Sequence, residues 1–140
     1  MKKSFNIEDQ NKKLEVLYRD TQNWKSNLKF LEDEAQFISQ LLNSYVFEPN
    51  TPNLFERLQD YGNRMTTVSQ QKNVLNEQIA NHEKSLGGML ECKDETCDFT
   101  YYNKHEELQN EVDRCLNSFK EVKAEIFNYA GGILKNRKEN

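Results

Sequence analysis

Apolar residues recur along most of the chain at alternating intervals of three and four residues, the spacing that places side chains on one face of an α-helix. Three such series occur, and we call the residues of each series its seam. Only four polar residues interrupt the seams, namely Thr21, Lys72, His82 and His105. The pattern predicts three long amphipathic helices. The seams are Leu14, Leu17, Thr21, Trp24, Leu28, Leu31, Ala35, Ile38, Leu42 and Tyr45; Leu54, Leu58, Tyr61, Met65, Val68, Lys72, Leu75, Ile79, His82, Leu86 and Met89; and Tyr101, His105, Leu108, Val112, Cys115, Phe119, Val122, Ile126, Tyr129 and Ile133.

Proline and glycine residues separate these segments. Pro49 and Pro52 fall between the first and second seams, and proline is not tolerated in the interior of a helix. The glycine pairs 87–88 and 131–132 stand near the ends of the second and third seams. An interior glycine costs a helix about 1 kcal/mol relative to alanine, so we expect each pair to end a helix. The predicted helices cover about residues 6–47, 52–88 and 100–131, followed by a short polar tail at 135–140.

The three helices are expected to form one domain over residues 1–140, because a chain of this length has room for a single core. Two short connections between helices of similar length predict an all-α, up-down-up antiparallel three-helix bundle. The sustained heptad spacing favours long coiled-coil-like helices with a left-handed supercoil.

Composition and charge exclude several classes of protein. The net charge of −4 argues against a nucleic-acid partner, and no apolar run is long enough to predict a membrane span. The amino-terminal sequence MKKSFNIEDQ carries no secretory signal pattern, so we expect a cytoplasmic protein with reduced cysteines. Cys115 lies on the third seam, where we expect it to pack as a small apolar residue.

The sequence lacks the motifs of the familiar enzyme classes. Neither His82 nor His105 follows a glutamate by three residues, as the di-iron carboxylate bundles require. The sequence also lacks the zinc-protease, dinucleotide-binding, phosphate-loop and serine-hydrolase motifs. We therefore expect no enzymatic activity and no cofactor.

Four residues of metal-binding types are expected near the second turn. Pairing the second and third seams across this turn brings His82 and His105 to similar heights, with Cys92 and Cys97 in the turn just below. Two cysteines and two histidines suit zinc. However, four residues separate the cysteines and the histidines lie on different helices, and both features are unusual for a zinc site. A metal- or thiol-dependent site therefore remains an alternative, and no metal is predicted.

A purely structural interpretation of the polar seam residues is favoured. The histidines can be satisfied by hydrogen bonds with Tyr18, Tyr101 or a backbone carbonyl. Lys72 can lay its long stem along the first seam while its ammonium reaches water or an acid such as Glu32 or Glu121. A polar residue at one seam position often fixes the register of a helical bundle.

A second group of apolar residues lies outside the seams and widens the apolar faces of the first and third helices. One explanation is that a three-helix core needs more than two positions per heptad. The other is a partner surface, because a patch of several exposed phenylalanine and leucine side chains is unusual on a monomer. The predicted partner surface consists of Phe30, Phe37, Leu41, Phe47, Phe127 and Leu134, with Val16, Leu116 and Ala130 on the same flanks.

These observations favour a non-enzymatic helical bundle that works through protein–protein contacts, as an adaptor, a scaffold or a self-associating protein. A homodimer is the simplest way to cover the partner surface. The metal- or thiol-dependent site at the second turn is the alternative.

Overall fold

The computed structural model describes the backbone of residues 7–44, 53–91 and 95–139, and the side chains of residues 12–44, 53–88 and 99–133. Three α-helices occupy these ranges: α1 (Ile7–Leu42), α2 (Leu54–Glu91) and α3 (Glu95–Glu139). Each helix packs against both of the others, and the described backbone contains no strand. The prediction of an all-helical protein with three packed helices is confirmed. None of the described helices has an apolar stretch long enough to cross a membrane.

The core forms where the three seams meet. Every seam position whose side chain is described is buried or half-buried, whereas Tyr45 and Met89 lie outside the described side chains. Burying one large apolar side chain contributes about 1.5–3 kcal/mol, so this core is the main source of stability. The largest fully buried side chains include Trp24, Tyr61, Leu28, Leu31, Ile38 and Ile79.

The four polar seam residues are buried with their apolar neighbours. Thr21, Lys72, His82 and His105 are the buried polar residues in the described part of the chain. The Thr21 hydroxyl donates a hydrogen bond to the backbone oxygen of Tyr18, at 2.7 Å, so this buried hydroxyl has its partner within its own helix. The other three polar residues depend on contacts between helices.

The glycine pairs do not end helices, and this part of the prediction is wrong. α2 continues to Glu91 and α3 to Glu139, through both pairs. A glycine that ends a helix usually adopts a positive φ, and no described glycine does so. Beyond the second pair, Ile133 packs against the cluster around Ala130, which favours continuation of α3.

The other helix ends also differ from the predicted ones. α1 ends at Leu42, where the backbone N–H of Asn43 donates to the oxygen of Gln40 at 3.2 Å. Such a three-residue bond tightens the last turn of a helix. α2 begins after Asn53, whose φ of 57° is a left-handed conformation that asparagine tolerates better than most residues. α3 begins at Glu95, about one turn earlier than expected.

We predict that replacing Gly131 and Gly132 together by alanine stabilises the protein by about 0.5–1 kcal/mol per residue. A Cβ atom at either position would meet no other atom within 4 Å, so the gain in helix propensity carries no steric cost. Urea denaturation followed by circular dichroism measures the change. The control is Ala124→Gly, at another exposed position of α3, which should lower stability by a similar amount. A less stable double variant would contradict the helical path through this pair.

Candidate functional site

A hydrogen-bonded chain of three polar side chains joins all three helices. His82 of α2 and His105 of α3 lie side by side, with 2.9 Å between Nε2 of His82 and Nδ1 of His105. On its other edge, Nε2 of His105 lies 2.9 Å from Oδ2 of Asp20 on α1. The predicted proximity of the two histidines is therefore confirmed. Both rings are buried, and Asp20 lies at the edge of the core.

Aromatic side chains enclose the two imidazole rings. Tyr101 stacks on His82 with 4.1 Å between ring centroids and 13° between ring planes. Trp24 packs on His105 with 4.6 Å between centroids. The indole N–H of Trp24 donates to the Gln109 side-chain oxygen at 2.7 Å, which fixes the indole plane. The rings therefore lie in an apolar setting where unpaired polar atoms would be costly.

The ionised carboxylate of Asp20 dictates the direction of these hydrogen bonds. A carboxylate only accepts, so Nε2 of His105 carries a proton and donates to Asp20. In a neutral His105 the other ring nitrogen, Nδ1, is then an acceptor, and Nε2 of His82 donates to it. With His105 neutral, the chain therefore runs from His82 through His105 to Asp20; with His105 protonated, its Nδ1 donates to Nε2 of His82 instead, and the facing atoms are satisfied in both cases.

This arrangement opposes protonation of His82. Burial, together with the nearby His105 and Lys104, lowers the pKa of His82 from 6.5 to about 4. If both imidazoles were protonated, two N–H groups would face each other and the hydrogen bond between the rings would be lost. Burial also raises the pKa of Tyr101 to about 12, so its hydroxyl keeps the proton that it donates to the His82 backbone oxygen at 3.3 Å.

The predicted polar contacts were only partly right. Tyr101 does donate to the backbone of His82, but Tyr18 is exposed, and Trp24 lies beside the histidines instead. Asp20 was missed. It lies next to the seam residue Thr21, at a position that flanks the helix interface. A carboxylate at that position, level with a seam histidine on another helix, was the available signal.

The metal alternative receives no support from the part of this end that the structure describes. The facing nitrogen atoms of His82 and His105 bind each other, and the outer nitrogen of His105 binds Asp20. The described side chains contain no group of three or more histidine, cysteine or acidic residues suited to a metal ion. Cys92 and Cys97 lie outside the described side chains, so the four-residue site is not tested as a whole.

Cys115 is buried on α3, as expected for a small apolar seam residue, and its sulfur lies 3.9 Å from the backbone oxygen of Val68. Burial raises the pKa of this thiol, although the ammonium of Lys72 opposes the effect. Since the thiolate is the reactive form, this environment disfavours a redox or nucleophilic role.

We predict that the protein loses stability as the pH falls from about 7 towards 4. The unfolded chain takes up a proton at His82 near pH 6.5, whereas the folded chain takes it up only near pH 4. Stability therefore decreases across this interval, by roughly 2–3 kcal/mol from this residue. Urea denaturation of the wild type and of His82→Gln at several pH values should show a flatter pH dependence for the variant. Tyr101→Phe, which keeps both histidines, should retain the full slope. Equal slopes in the wild type and His82→Gln would contradict the assignment.

Lys72 of α2 is the buried charge of the described core. The residue is 8% exposed, and its ammonium lies 3.8 Å from Oε1 of Glu32 on α1, beyond hydrogen-bond distance. Of the two acids expected near it, the structure selects Glu32. Because this ion pair is long and Glu32 is partly solvated, the attraction is expected to offset little of the cost of burying the ammonium.

We predict that Lys72→Leu leaves the protein folded and raises its melting temperature, with a gain of about 1 kcal/mol or more, because the buried charge is replaced by an apolar side chain. The matched control is Lys29→Leu, which removes an exposed lysine that also lies near Glu32, and it should change stability by less than about 0.5 kcal/mol. Differential scanning calorimetry measures both changes. A destabilised Lys72→Leu variant would show that the ammonium is needed in the core.

The predicted partner surface is exposed where the structure describes it. Phe30 is 64% exposed, Phe37 is 59% exposed and Phe127 is 39% exposed. Leu41 is half-buried and packs against the core, so it serves the bundle as well as the surface. Phe47 and Leu134 lie outside the described side chains.

The flanking residues of this surface behave differently from one another. Val16 is exposed and Leu116 is half-buried, whereas Ala130 is buried. The grouping of Ala130 with the surface residues was therefore wrong. Its small side chain lies beneath the surface, in a cluster with Leu41 and Ile133. The core thus buries some of the apolar residues outside the seams but leaves Phe30, Phe37 and Phe127 exposed.

Contacts between α1 and α3 place the exposed phenylalanines on one face of the bundle. An ion pair joins Glu34 of α1 to Lys123 of α3. Phe30 and Phe37 lie one helical turn before and after Glu34, on the side of α1 that faces α3. Phe127 lies one turn after Lys123 on the matching side of α3. We call this side of the bundle the α1/α3 face.

Comparison with known proteins finds no similar family, curated protein or solved structure: no family model matches the chain, no curated sequence matches it, and no known structure matches its fold at a significant level.

Proposed function

We propose that the chain is a non-enzymatic, cytoplasmic helical-bundle protein that acts by binding protein through the α1/α3 face, and that self-association is the simplest form of this contact. The exposure of Phe30 and Phe37 supports the proposal most directly. Neither residue belongs to a seam, so neither is required by the core. An exposed aromatic side chain loses the free energy that burial would give it, and a partner that covers it recovers that energy.

The proposal includes an up-down-up, coiled-coil-like bundle. Contacts between α2 and α3 support opposite directions for these two helices, because residue numbers fall on one as they rise on the other. Arg64 pairs with Glu125, whereas His82 contacts His105. The contacts that join α1 to α3 support parallel directions, because the numbers rise together: Asp20 with His105, Trp24 with Gln109, and Glu34 with Lys123.

The chemistry of the buried polar chain also favours a structural rather than a catalytic role. The hydrogen bond between His82 and His105 is buried and enclosed by aromatic rings, and Asp20 occupies the remaining nitrogen of His105 at the edge of the core. A general acid or base must reach the proton that it transfers. A satisfied polar network in an apolar core fixes the alignment of the elements that it joins, and this one joins all three helices.

The alternative function is a metal- or thiol-dependent site that uses Cys92, Cys97, His82 and His105. The observation in its favour is the adjacency of the two imidazole rings, on the two helices that the segment with both cysteines connects in the sequence. Elemental analysis of the purified protein distinguishes the two proposals. One zinc per chain, lost when Cys92 and Cys97 are replaced by serine, would favour the alternative and overturn the present one.

We predict that the wild-type protein is a dimer by light scattering and that Phe30→Glu combined with Phe37→Glu gives a folded monomer. Both side chains are exposed, so glutamate is tolerated in the bundle but opposes an apolar contact. The matched control is Phe55→Glu combined with Val74→Glu, which changes two exposed apolar residues of α2 and should leave the dimer intact. Circular dichroism verifies the folding of each variant. A wild type that stays monomeric at millimolar concentration, or a double variant that unfolds, would contradict the proposal.

A further inference from the structure

We propose that the partner of the α1/α3 face is a second copy of this chain, placed parallel to the first by a two-fold axis that runs along the bundle. The inference rests on the proposed function and specifies its geometry. In this arrangement, α1 of each copy lies opposite α3 of the other, at the same height. The support comes from the order of charged and apolar residues along the two helices.

Contacts between α1 and α3 fix which residues share a height within one copy. Asp20 binds His105, so Arg19 of α1 stands within about two residues, or about 3 Å, of the height of Glu106 on α3. The Glu34–Lys123 ion pair sets the heights farther along the bundle. There, the residue before Glu34 on α1 is Asp33, which stands close to the height of Lys120 on α3. Arg19, Asp33, Glu106 and Lys120 all have exposed side chains, and Asp33 also lies 3.6 Å from the Lys29 ammonium on its own helix.

The charges on α1 and α3 are therefore opposite in sign near both of these heights. α1 carries Arg19 and then Asp33, whereas α3 carries Glu106 and then Lys120. When α1 of one copy faces α3 of the other, Arg19 meets Glu106 and Asp33 meets Lys120. The two-fold axis produces each pair twice. The long arginine and lysine side chains can reach across from the rim of the contact.

Another acid on the same side of α3 does not disturb this match. Asp113 accepts a hydrogen bond from the amide of Gln109, on its own helix, at 3.1 Å. The ion pair between Glu34 and Lys123 is also closed within one copy, so it adds no net charge to the middle of the face. The ion pair reduces the unmatched charge on this face, as a buried contact requires, whereas Asp113 keeps its charge and is held by a neutral amide.

Apolar residues match at the same heights as the charges. Near one end of the face, Val16 of α1 is level with Tyr102 of α3, and both are exposed. Farther along, Phe37 lies within about one helical turn of the height of Phe127. The parallel arrangement therefore brings apolar residues of the two copies together near both charge pairs, while Phe30 lies near the height of Leu116, which is half-buried.

An antiparallel dimer does not satisfy both conditions. If α1 of one copy ran against α1 of the other, the charges would match only with Arg19 opposite Asp33. That alignment places Phe37 opposite Glu15, which is exposed and acidic. The phenylalanines would then face polar residues, and the apolar part of the contact would be lost. The parallel arrangement matches charge and apolar character better than this antiparallel contact between the two α1 helices.

The test reverses one charge and then restores the pair. Asp33→Lys should raise the dimer dissociation constant about tenfold, because a favourable pair becomes a repulsive one at two symmetric places. Adding Lys120→Glu should restore the wild-type constant to within about threefold. Adding Arg19→Glu instead should weaken the dimer further. Sedimentation equilibrium at low salt measures all three, and Glu77→Lys on α2, an exposed residue away from the face, is the matched control.

The outcomes separate this inference from the proposed function. Rescue by Lys120→Glu together with no rescue by Arg19→Glu supports the parallel dimer. Rescue by Arg19→Glu alone, or no effect of Asp33→Lys, in a dimer that the Phe30 and Phe37 variants still disrupt, overturns the geometry but leaves the contact surface standing. A wild type that is monomeric at millimolar concentration overturns the self-association itself, and with it this inference.

Discussion

The meeting of three apolar seams is the constraint on which the rest of the structure depends. Because the seams continue almost without interruption, each helix presents one apolar stripe that must be covered by both of the others. This arrangement fixes which side of each helix faces inward and leaves the remaining positions free for other purposes. The polar seam residues occupy positions that the core needs. The exposed phenylalanines occupy positions that it does not need.

The polar seam residues solve the problem of burial in different ways. Thr21 uses the backbone of its own helix, Lys72 extends towards Glu32 at the surface, and His82 and His105 bind each other. The two histidines differ from the other polar seam residues because their hydrogen bonds, which include Asp20, join three helices and direct two N–H groups at specific acceptors. A slip of one helix by a single turn would separate these atoms by about 5 Å, so the polar chain penalises alternative registers that an apolar core alone would tolerate.

Periodicity predicted the core well because burial follows the spacing of side chains along a helix. The same reasoning located His82 and His105 together. It failed where the outcome depended on competition between local and tertiary effects. The cost of glycine in a helix was correctly recognised, but the packing of Ile133 beyond the second glycine pair favours continuation of α3. Asp20 was missed because its role depends on a neighbouring helix, and Ala130 was misplaced because residues of all three helices, including Leu41, Leu54 and Ile133, pack around it.

The three faces of the bundle differ in how their grooves are covered, and this difference singles out one of them. Between α1 and α2, Lys25 pairs with Glu83; between α2 and α3, Arg64 pairs with Glu125. Long charged side chains of this kind cover apolar surface with their stems while their charges remain in water. The α1/α3 face also has such a pair, but phenylalanines stand on both sides of it. A phenylalanine side chain has no charged end that could remain in water while its ring covers the core. Exposed apolar side chains are not confined to this face, since Phe55 and Val74 of α2 are exposed as well. What distinguishes the α1/α3 face is that exposed phenylalanines of both helices flank its ion pair.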